Sequence, residues 1–299
     1  LTTPRCAAAS NGTRGPRVAV AFFGLTRNLN RTLHLHEAHV LSPLRALAGA
    51  VDTFVHAHVQ HSVSNTRGCD GARERECEHD VALASYDALL LRPCVLELEF
   101  VQLMATDALV ARLRRSVCRD YSEKTCANYV RSRYSLWRVA RQIASHEASR
   151  GFRYDRVVAT RPDVVVPRPL AFDLTTPRLV LASGHSYGGF NDRFAYGGRD
   201  RMLRLFMQPP WECMQDAKRL RDVLARFRVW NGESYACALA AQRGADDDAP
   251  LLVEPICVVR VRANGQVEPR DVGRDVVQRP DRLPGCRTRK NEEALRLAV

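Results

Sequence analysis

Apolar residues along this chain fall into two periodicities that alternate. Arg17–Phe23, RVAVAFF, is a near-continuous apolar run closed by Gly24 and predicts a buried first strand. Leu33, Glu37, Val40, Leu41, Leu44 and Leu47 then recur at helical spacing, with Asn30 or Thr32 as the expected cap. Asp52–Val59 alternates and reads as strand two, Gln60–Asp80 as a long charged loop, Val81–Leu91 as a helix and Val95–Phe100 as strand three. An amphipathic helix is expected over Thr106–Val117 and a long one from about Ala127 to Ser149. The long helix should place Val130, Tyr134, Trp137, Arg141 and Ala144 on one face and end at Gly151. Two runs, Val157–Ala159 and Val164–Val166, flank Thr160-Arg161-Pro162-Asp163, where Pro162 must end a strand's ladder. Beyond them the pattern predicts a strand at Arg178–Ala182, a Gly-rich segment to Gly198 and helices from Arg199 and over Asp216–Phe227. A short helix Gly232–Ala241 capped by Asn231, a strand Pro255–Arg262 and a hairpin turn at Asn264-Gly265 complete the reading. Strand–helix alternation over the first 166 residues predicts an α/β fold, a largely parallel sheet with helices on both faces.

Composition narrows the class. At 299 residues the chain suits one large α/β domain or two modest ones, and 45% hydrophobic with 26% charged residues is ordinary for a globular protein. No uninterrupted apolar run reaches membrane-spanning length; the best, Val81–Leu91, contains Tyr86 and Asp87. The chain begins at Leu1, which leaves room for a leader or anchor ahead of it. The net charge of +12 invites a nucleic-acid reading, but the basic residues are nearly all arginines scattered along the chain, with lysines only at 124, 218 and 290. That distribution favours polyanionic nucleotides or acidic glycans as partners, not nucleic acid.

The ten cysteines include no C-x-x-C pair, which argues against a zinc ribbon. Cys69 with Cys77, and Cys118 with Cys126, lie in charged loop-like segments and predict two short-range disulfides. An oxidising secretory lumen is the expected compartment. Asn11-Gly12-Thr13 and Asn30-Arg31-Thr32 are glycosylation triplets of low specificity.

Candidate chemistry gathers at strand ends. Arg161 and Asp163 follow a central strand, where open α/β sheets bind ligands; an Arg for phosphate and an Asp for a metal or sugar hydroxyl suit a nucleotide diphosphate. A strand-end salt bridge is the plainer alternative. Gly24-Leu25-Thr26-Arg27 follows strand one at the same edge, with Gly for close backbone approach and Thr26 and Arg27 as phosphate donors. His56 and His58 lie near the end of strand two, whereas His34, His36 and His39 lack the i, i+4 spacing of a helical metal pair. Asn191-Asp192-Arg193 forms a hydrogen-bonding triplet in a Gly-flanked loop, suited to a sugar or to a turn that caps itself. Glu233 opens a helix, either as a favoured N-terminal acid or as a general base.

Two motifs mislead. Gly184-His185-Ser186-Tyr187-Gly188 fits the nucleophile elbow of α/β-hydrolases, yet His185 is the last of nine histidines and that fold needs its catalytic His after the Ser. Asp246-Asp247-Asp248 follows Gly244 and precedes Pro250, the setting of a solvated loop.

Taken in order, VAVAFFGLTRNL, DTFVHAH, RSRYSLWRVARQIA, YDRVVATRPDVVV, GGFNDRFAYGG, NGESY and VVRVRANG resemble a GT-A-type glycosyltransferase, of the loosely defined group found in algae, their large viruses and some bacteria. The resemblance covers residues 17–265, leaving 1–16 as a flexible lead-in and 266–299 as a basic Pro- and Arg-rich extension. It implies a GT-A-like, Rossmann-type three-layer α/β/α domain that takes a nucleotide-sugar donor and a glycan or glycoconjugate acceptor. Gly24, Thr26, Arg27, His56, Arg161 and Asp163 would then bind the donor, Asn191 and Arg193 the sugars, and Asp192 or Glu233 would act in catalysis. The family's Asp-x-Asp, which holds Mn2+ or Mg2+, is here Arg161-Pro162-Asp163-Val164-Val165, so Asp163 is the one candidate ligand and Arg161 stands where a charge would neutralise the leaving diphosphate. A hydrolase using Ser186 and a catalytically inactive nucleotide- or glycan-binding module are the alternatives.

Overall fold

In the first strand, Val18, Val20 and Phe22 alternate with Ala19, Ala21 and Phe23, and all six are fully buried. The first set packs with Val40, Leu41 and Leu44, the second with Leu136, Val139, Ala140 and Ile143. A strand covered on both faces reads as a continuous apolar run, and it marks the middle of a three-layer α/β/α domain. This is a computed structural model that describes residues 6, 15–26, 29–59, 62–64, 76–78, 88–89, 91–100, 107–182, 191–227, 229, 231–244, 252–254 and 256–261.

Its strands are β1 (Arg17–Gly24), β2 (Ala50–Val59), β3 (Ser62–Ser64), β4 (Glu76–Glu78), β5 (Val95–Phe100), β6 (Arg156–Thr160), β7 (Val164–Val165), β8 (Leu179–Ala182), β9 (Phe194–Gly198), β10 (Leu252–Glu254) and β11 (Val259–Arg260). Seven of them form the central sheet in the order β10-β8-β9-β6-β1-β2-β5. Within it β9 alone runs antiparallel to its neighbours; the other pairings are parallel. The expected α/β class with a mostly parallel sheet is therefore what the chain forms. From β1 the chain moves outward to β2 and β5, then returns through the long helix to β6 on the opposite side of β1. The carboxyl ends of β1 and β6 thus flank a topological switch point, where open α/β sheets leave a crevice for ligands.

The long helix runs Glu123–Arg150, starting earlier than expected because the Ser122 hydroxyl accepts from Thr125 N–H. It ends at Gly151, whose φ of 68° is the left-handed conformation that glycine adopts freely. Its buried stripe differs from the expected one. Tyr129, Val130, Leu136, Val139, Ala140 and Ile143 face inward together with Ser132, Arg133, Ser135, Gln142, His146 and Glu147. Tyr134, Trp137 and Ala144 are half-buried and Arg141 is exposed. Counting apolar residues alone misplaces this face, because polar residues on it are needed at the sheet's rim.

Other elements differ for identifiable reasons. The first helix starts at Leu29, not after Asn30 or Thr32, and a π-turn at Glu37–Leu41 re-phases it before Ser42–Leu47. That shift leaves Leu47 about half exposed. The expected loop after strand two contains the antiparallel β3–β4 pair. The Gly-rich segment ending at Gly198 contains β9, and its glycines permit close packing: a Cβ at Gly197 would lie 2.1 Å from the Arg178 carbonyl oxygen. Within the strand expected at Pro255–Arg262 the described residues form β11, paired antiparallel with β7, and β10 (Leu252–Glu254), which was not expected, adds to the main sheet ahead of it. Of Val81–Leu91, residues 88–89 are described as helical. The Asn264-Gly265 turn lies outside the described residues.

A third cluster, Leu109, Leu113, Val130, Met214, Val223, Tyr235 and Leu239 among others, builds a helical flank beside the sheet. Cys118 and Cys126 form the expected disulfide that pins the start of the long helix. A second disulfide joins Cys6 to Cys94, and Cys257 is also disulfide-bonded. The expected Cys69–Cys77 bridge lies outside the described residues. Among the described residues no helix is long and apolar enough to cross a membrane.

Candidate functional site

The rim is assembled from the ends of parallel neighbours. Phe22 of β1 pairs with Thr160 of β6, so Gly24–Thr26 and Arg161–Asp163 emerge side by side. Phe194 of β9 also pairs with Thr160, and since β9 runs the other way, Asn191-Asp192-Arg193 enters the sheet at this same rim. Segments more than 160 positions apart thereby meet.

On the β1 side, Gly24 holds φ at 102° and donates its N–H to Ser135 Oγ at 2.8 Å. No atom lies within 4 Å of where a Gly24 Cβ would be, so this glycine serves its own conformation and not a close contact. Thr26 is fully buried, and among the described residues its hydroxyl has no hydrogen-bond partner. A buried hydroxyl left this way costs free energy unless something outside the fold satisfies it. Arg27 lies outside the described residues.

On the β6 side, Arg161 Nε and Nη2 donate to the two Asp163 oxygens at 2.9 and 2.8 Å. The Asp163 side chain is 1% exposed and that of Arg161 19%. The turn between them is held from behind: Thr32 Oγ1 donates to the Pro162 carbonyl at 2.8 Å, His36 Nε2 at 3.1 Å, and Val261 N–H reaches the Asp163 carbonyl. Burial pushes the His36 imidazole down to about 4, against the opposing pull of the Pro162 carbonyl and Asp163, so this ring clamps the turn in its neutral form. With both Asp163 oxygens facing a guanidinium, the donor set there does not fit a divalent cation, and no step is drawn through one.

Asp192 and Glu233 lie close enough for the charge of one to act on the other. Asn191, Asp192 and Arg193 are all buried, and Asn191 Oδ1 accepts from Arg193 N–H at 2.8 Å, so the triplet does cap itself. Arg133, 1% exposed, reaches from the long helix to Asp192 Oδ2 and to the Asp192 carbonyl, both at 3.2 Å. Its guanidinium also lies over the rings of Phe23 and Tyr129, at 5.5 and 5.4 Å from their centres. Burial pushes the Asp192 carboxyl upward, but Arg133, Arg161, Arg193 and Arg260 outweigh it and hold the group below its ordinary value.

Glu233 is pushed the other way. Burial first, then the charge of Asp192, raises its carboxyl to about 7. Tyr121 donates its hydroxyl to Glu233 Oε2 at 2.8 Å and accepts from Gly232 N–H at 3.0 Å. A Cβ at Gly232 would lie 2.2 Å from the Tyr129 ring, so only glycine fits at this helix start. Asn231 Oδ1 accepts from Ser234 N–H at 2.8 Å, the cap expected from the sequence.

His56 is fully buried but turns toward β5, between Ser135 and Glu99. His34 is exposed and His39 Nδ1 contacts the Val166 carbonyl, so the three histidines of the first helix do not converge. Ser186 and Asp246–Asp248 lie outside the described residues. Arg133, Ser135, Tyr121 and Tyr129 escaped the sequence reading. The one signal for Arg133 was a charge set between Val130 and Leu136 on an otherwise apolar stripe.

No protein-family model and no curated protein matches the chain. Among solved structures it is similar to mouse xyloside xylosyltransferase 1 in its apo form, at 11% sequence identity and a TM-score of 0.37, covering 80% of this chain and 84% of that one. At that distance the likeness says nothing about the site.

Proposed function

We propose that this protein is a glycosyltransferase that moves a sugar from a nucleotide-diphosphate donor to a hydroxyl acceptor. One observation carries the reading. Two buried carboxylates, Asp192 and Glu233, meet at the switch-point rim with their proton affinities driven apart, one held ionised by arginines and the other raised to about 7. A carboxyl near neutrality is suited to take a proton from a hydroxyl at physiological pH.

In this reading Glu233 accepts the acceptor's proton as its oxygen bonds to the anomeric carbon. The bond from that carbon to the diphosphate oxygen breaks, and the nucleoside diphosphate leaves with the electron pair. Asp192, with Asn191 and Arg193, orients the sugars. Gly24, Thr26 and Arg27 hold the donor on one side of the crevice and the Arg161–Asp163 unit on the other, while His56, buried and turned toward β5, drops out of the donor set expected from the sequence. Arg161 and Arg133 supply positive charge toward the leaving group without a cation at Asp163. The disulfides support placement in an oxidising, secretory lumen.

The test is release of free nucleoside diphosphate from a panel of nucleotide sugars by purified protein with glycan acceptors. Glu233→Gln is expected to lower turnover by about 100-fold or more. In the unaltered protein the rate should rise as pH passes about 7, since the base must lose its proton. Unchanged turnover in that variant, or no release with any donor and no thermal shift with any nucleoside diphosphate, rejects the proposal.

A further inference from the structure

Away from the carboxylate pair, on the face of β2 and β5 covered by the long helix, a second polar cluster is organised around Ser135. Its hydroxyl oxygen lies 2.7 Å from the His56 carbonyl oxygen. Two oxygens at that distance need a proton between them, and the carbonyl has none, so Ser135 donates its single hydrogen there. Ser135 Oγ then accepts from Gly24 N–H at 2.8 Å and from His56 Nδ1 at 2.9 Å. His56 Nδ1 therefore carries a hydrogen, and in the neutral ring Nε2 is a lone pair.

That lone pair points at a carboxylate. Among the described residues His56 Nε2 has no hydrogen-bond partner, its side chain is 0% exposed, and Glu99 Oε2 lies 3.4 Å away. The opposite oxygen, Glu99 Oε1, accepts from Tyr134 OH at 3.3 Å, which turns Oε2 toward the ring. Glu97, beside His56 in the β2–β5 register, is oriented by Arg138 on Oε1 and by Gln142 Nε2 at 3.1 Å on Oε2. Ligand atoms of His56, Glu97 and Glu99 all lie within 4.8 Å of one another. A lone pair facing a carboxylate oxygen across 3.4 Å is repulsive unless a proton or a cation sits between them.

We propose that His56 Nε2, Glu97 and Glu99 bind a divalent transition ion of the zinc class, with water completing the shell. One imidazole and two carboxylates are a donor set that zinc accepts, and ligands of a tetrahedral zinc lie about 3.3–3.5 Å apart, the spacing His56 and Glu99 already have. Each ligand also has the outer partner such sites use: Ser135 on Nδ1, Tyr134 on Glu99, Arg138 and Gln142 on Glu97. Glu97 and Glu99 are 31% and 20% exposed, which gives an ion a path from solvent. The site is separate from the Asp192–Glu233 pair and does not depend on the transferase reading.

The test is titration of untagged, metal-stripped protein with Co2+, read by visible absorption and by displacement with Zn2+. One tightly bound Co2+ with the intense bands of a four- or five-coordinate ion supports the site. Glu99→Gln should weaken binding by more than about 100-fold, and Tyr134→Phe by about 10-fold, the smaller loss typical of an outer partner. Absence of binding by the unaltered protein, or undiminished binding in Glu99→Gln and Glu97→Gln, overturns the proposal. Should the variants fail to fold, anomalous diffraction from Co2+-soaked crystals of the unaltered protein decides instead. A peak within bonding distance of His56 Nε2 supports the site, and a peak elsewhere or none overturns it.

Discussion

On the β6–β9 side of the rim, the buried Asp192 carboxylate has Arg133 at 3.2 Å and the charges of Arg161, Arg193 and Arg260 around it. On the β2–β5 side, fully buried His56 turns Nε2 toward Glu99 Oε2 at 3.4 Å. The first cluster is complete in charge but holds one carboxyl, Glu233, poised near neutrality. The second is complete in hydrogen bonds around its edge but not at its centre. In the two proposals, that difference separates a site that moves a proton from one that receives a cation. In the first, arginines supply the charge and the fold tunes an acid against a base. In the second, as proposed, a bound cation supplies the positive charge. Ser135 joins them, tying the end of β1 to His56 through Gly24.

The comparison breaks most visibly at Arg133. Arg133→Met keeps apolar contact with Phe23 and Tyr129 but strands the Asp192 charge in a buried setting, and a loss of about 3–5 kcal/mol in urea denaturation is expected. Adding Asp192→Asn should recover much of it, since the pair is then neutral. A cost near zero for the single variant would show that Asp192 is compensated by the other arginines alone.

Ser135→Ala tests the join. It leaves Gly24 N–H, His56 Nδ1–H and the His56 carbonyl without their shared partner, at an expected cost of about 1–3 kcal/mol. The same change frees the His56 tautomer, so Co2+ binding should weaken along with stability.

Tyr121→Phe is the subtlest. Its hydroxyl is the hydrogen bond that holds the Glu233 carboxyl down, and Gly232 N–H loses its acceptor as well. The alkaline rise of the transfer rate should move upward from about 7, while the protein stays folded. A midpoint that does not move would mean the rise belongs to another group.

Much of the frame was legible residue by residue. RVAVAFF could hardly be anything but a doubly buried strand, Gly151 ends its helix in the left-handed conformation expected of it, and Asn231 caps the helix bearing Glu233. The triplet Asn191-Asp192-Arg193 and the pair Arg161/Asp163 could be picked out because charged and amide side chains crowd beside Gly and Pro at strand ends. β9 was hidden because the Phe194/Tyr196 alternation is short and runs into Gly197 and Gly198, of which Gly197 lets the Arg178 carbonyl approach. Arg133 and Ser135 were hidden because a polar residue on a helix looks solvated until the sheet beneath it is known.

Local pattern, then, sufficed for what depends on neighbours in the chain: periodicity, caps and turns, and hence the α/β class. Which carboxylate is held ionised, which is raised toward neutrality, and where a ring nitrogen is left facing an acid depend on groups far apart in sequence. Those properties follow from burial and from charges brought within a few ångströms, and both come into being only when β6 and β9 close beside β1 and the long helix settles over them.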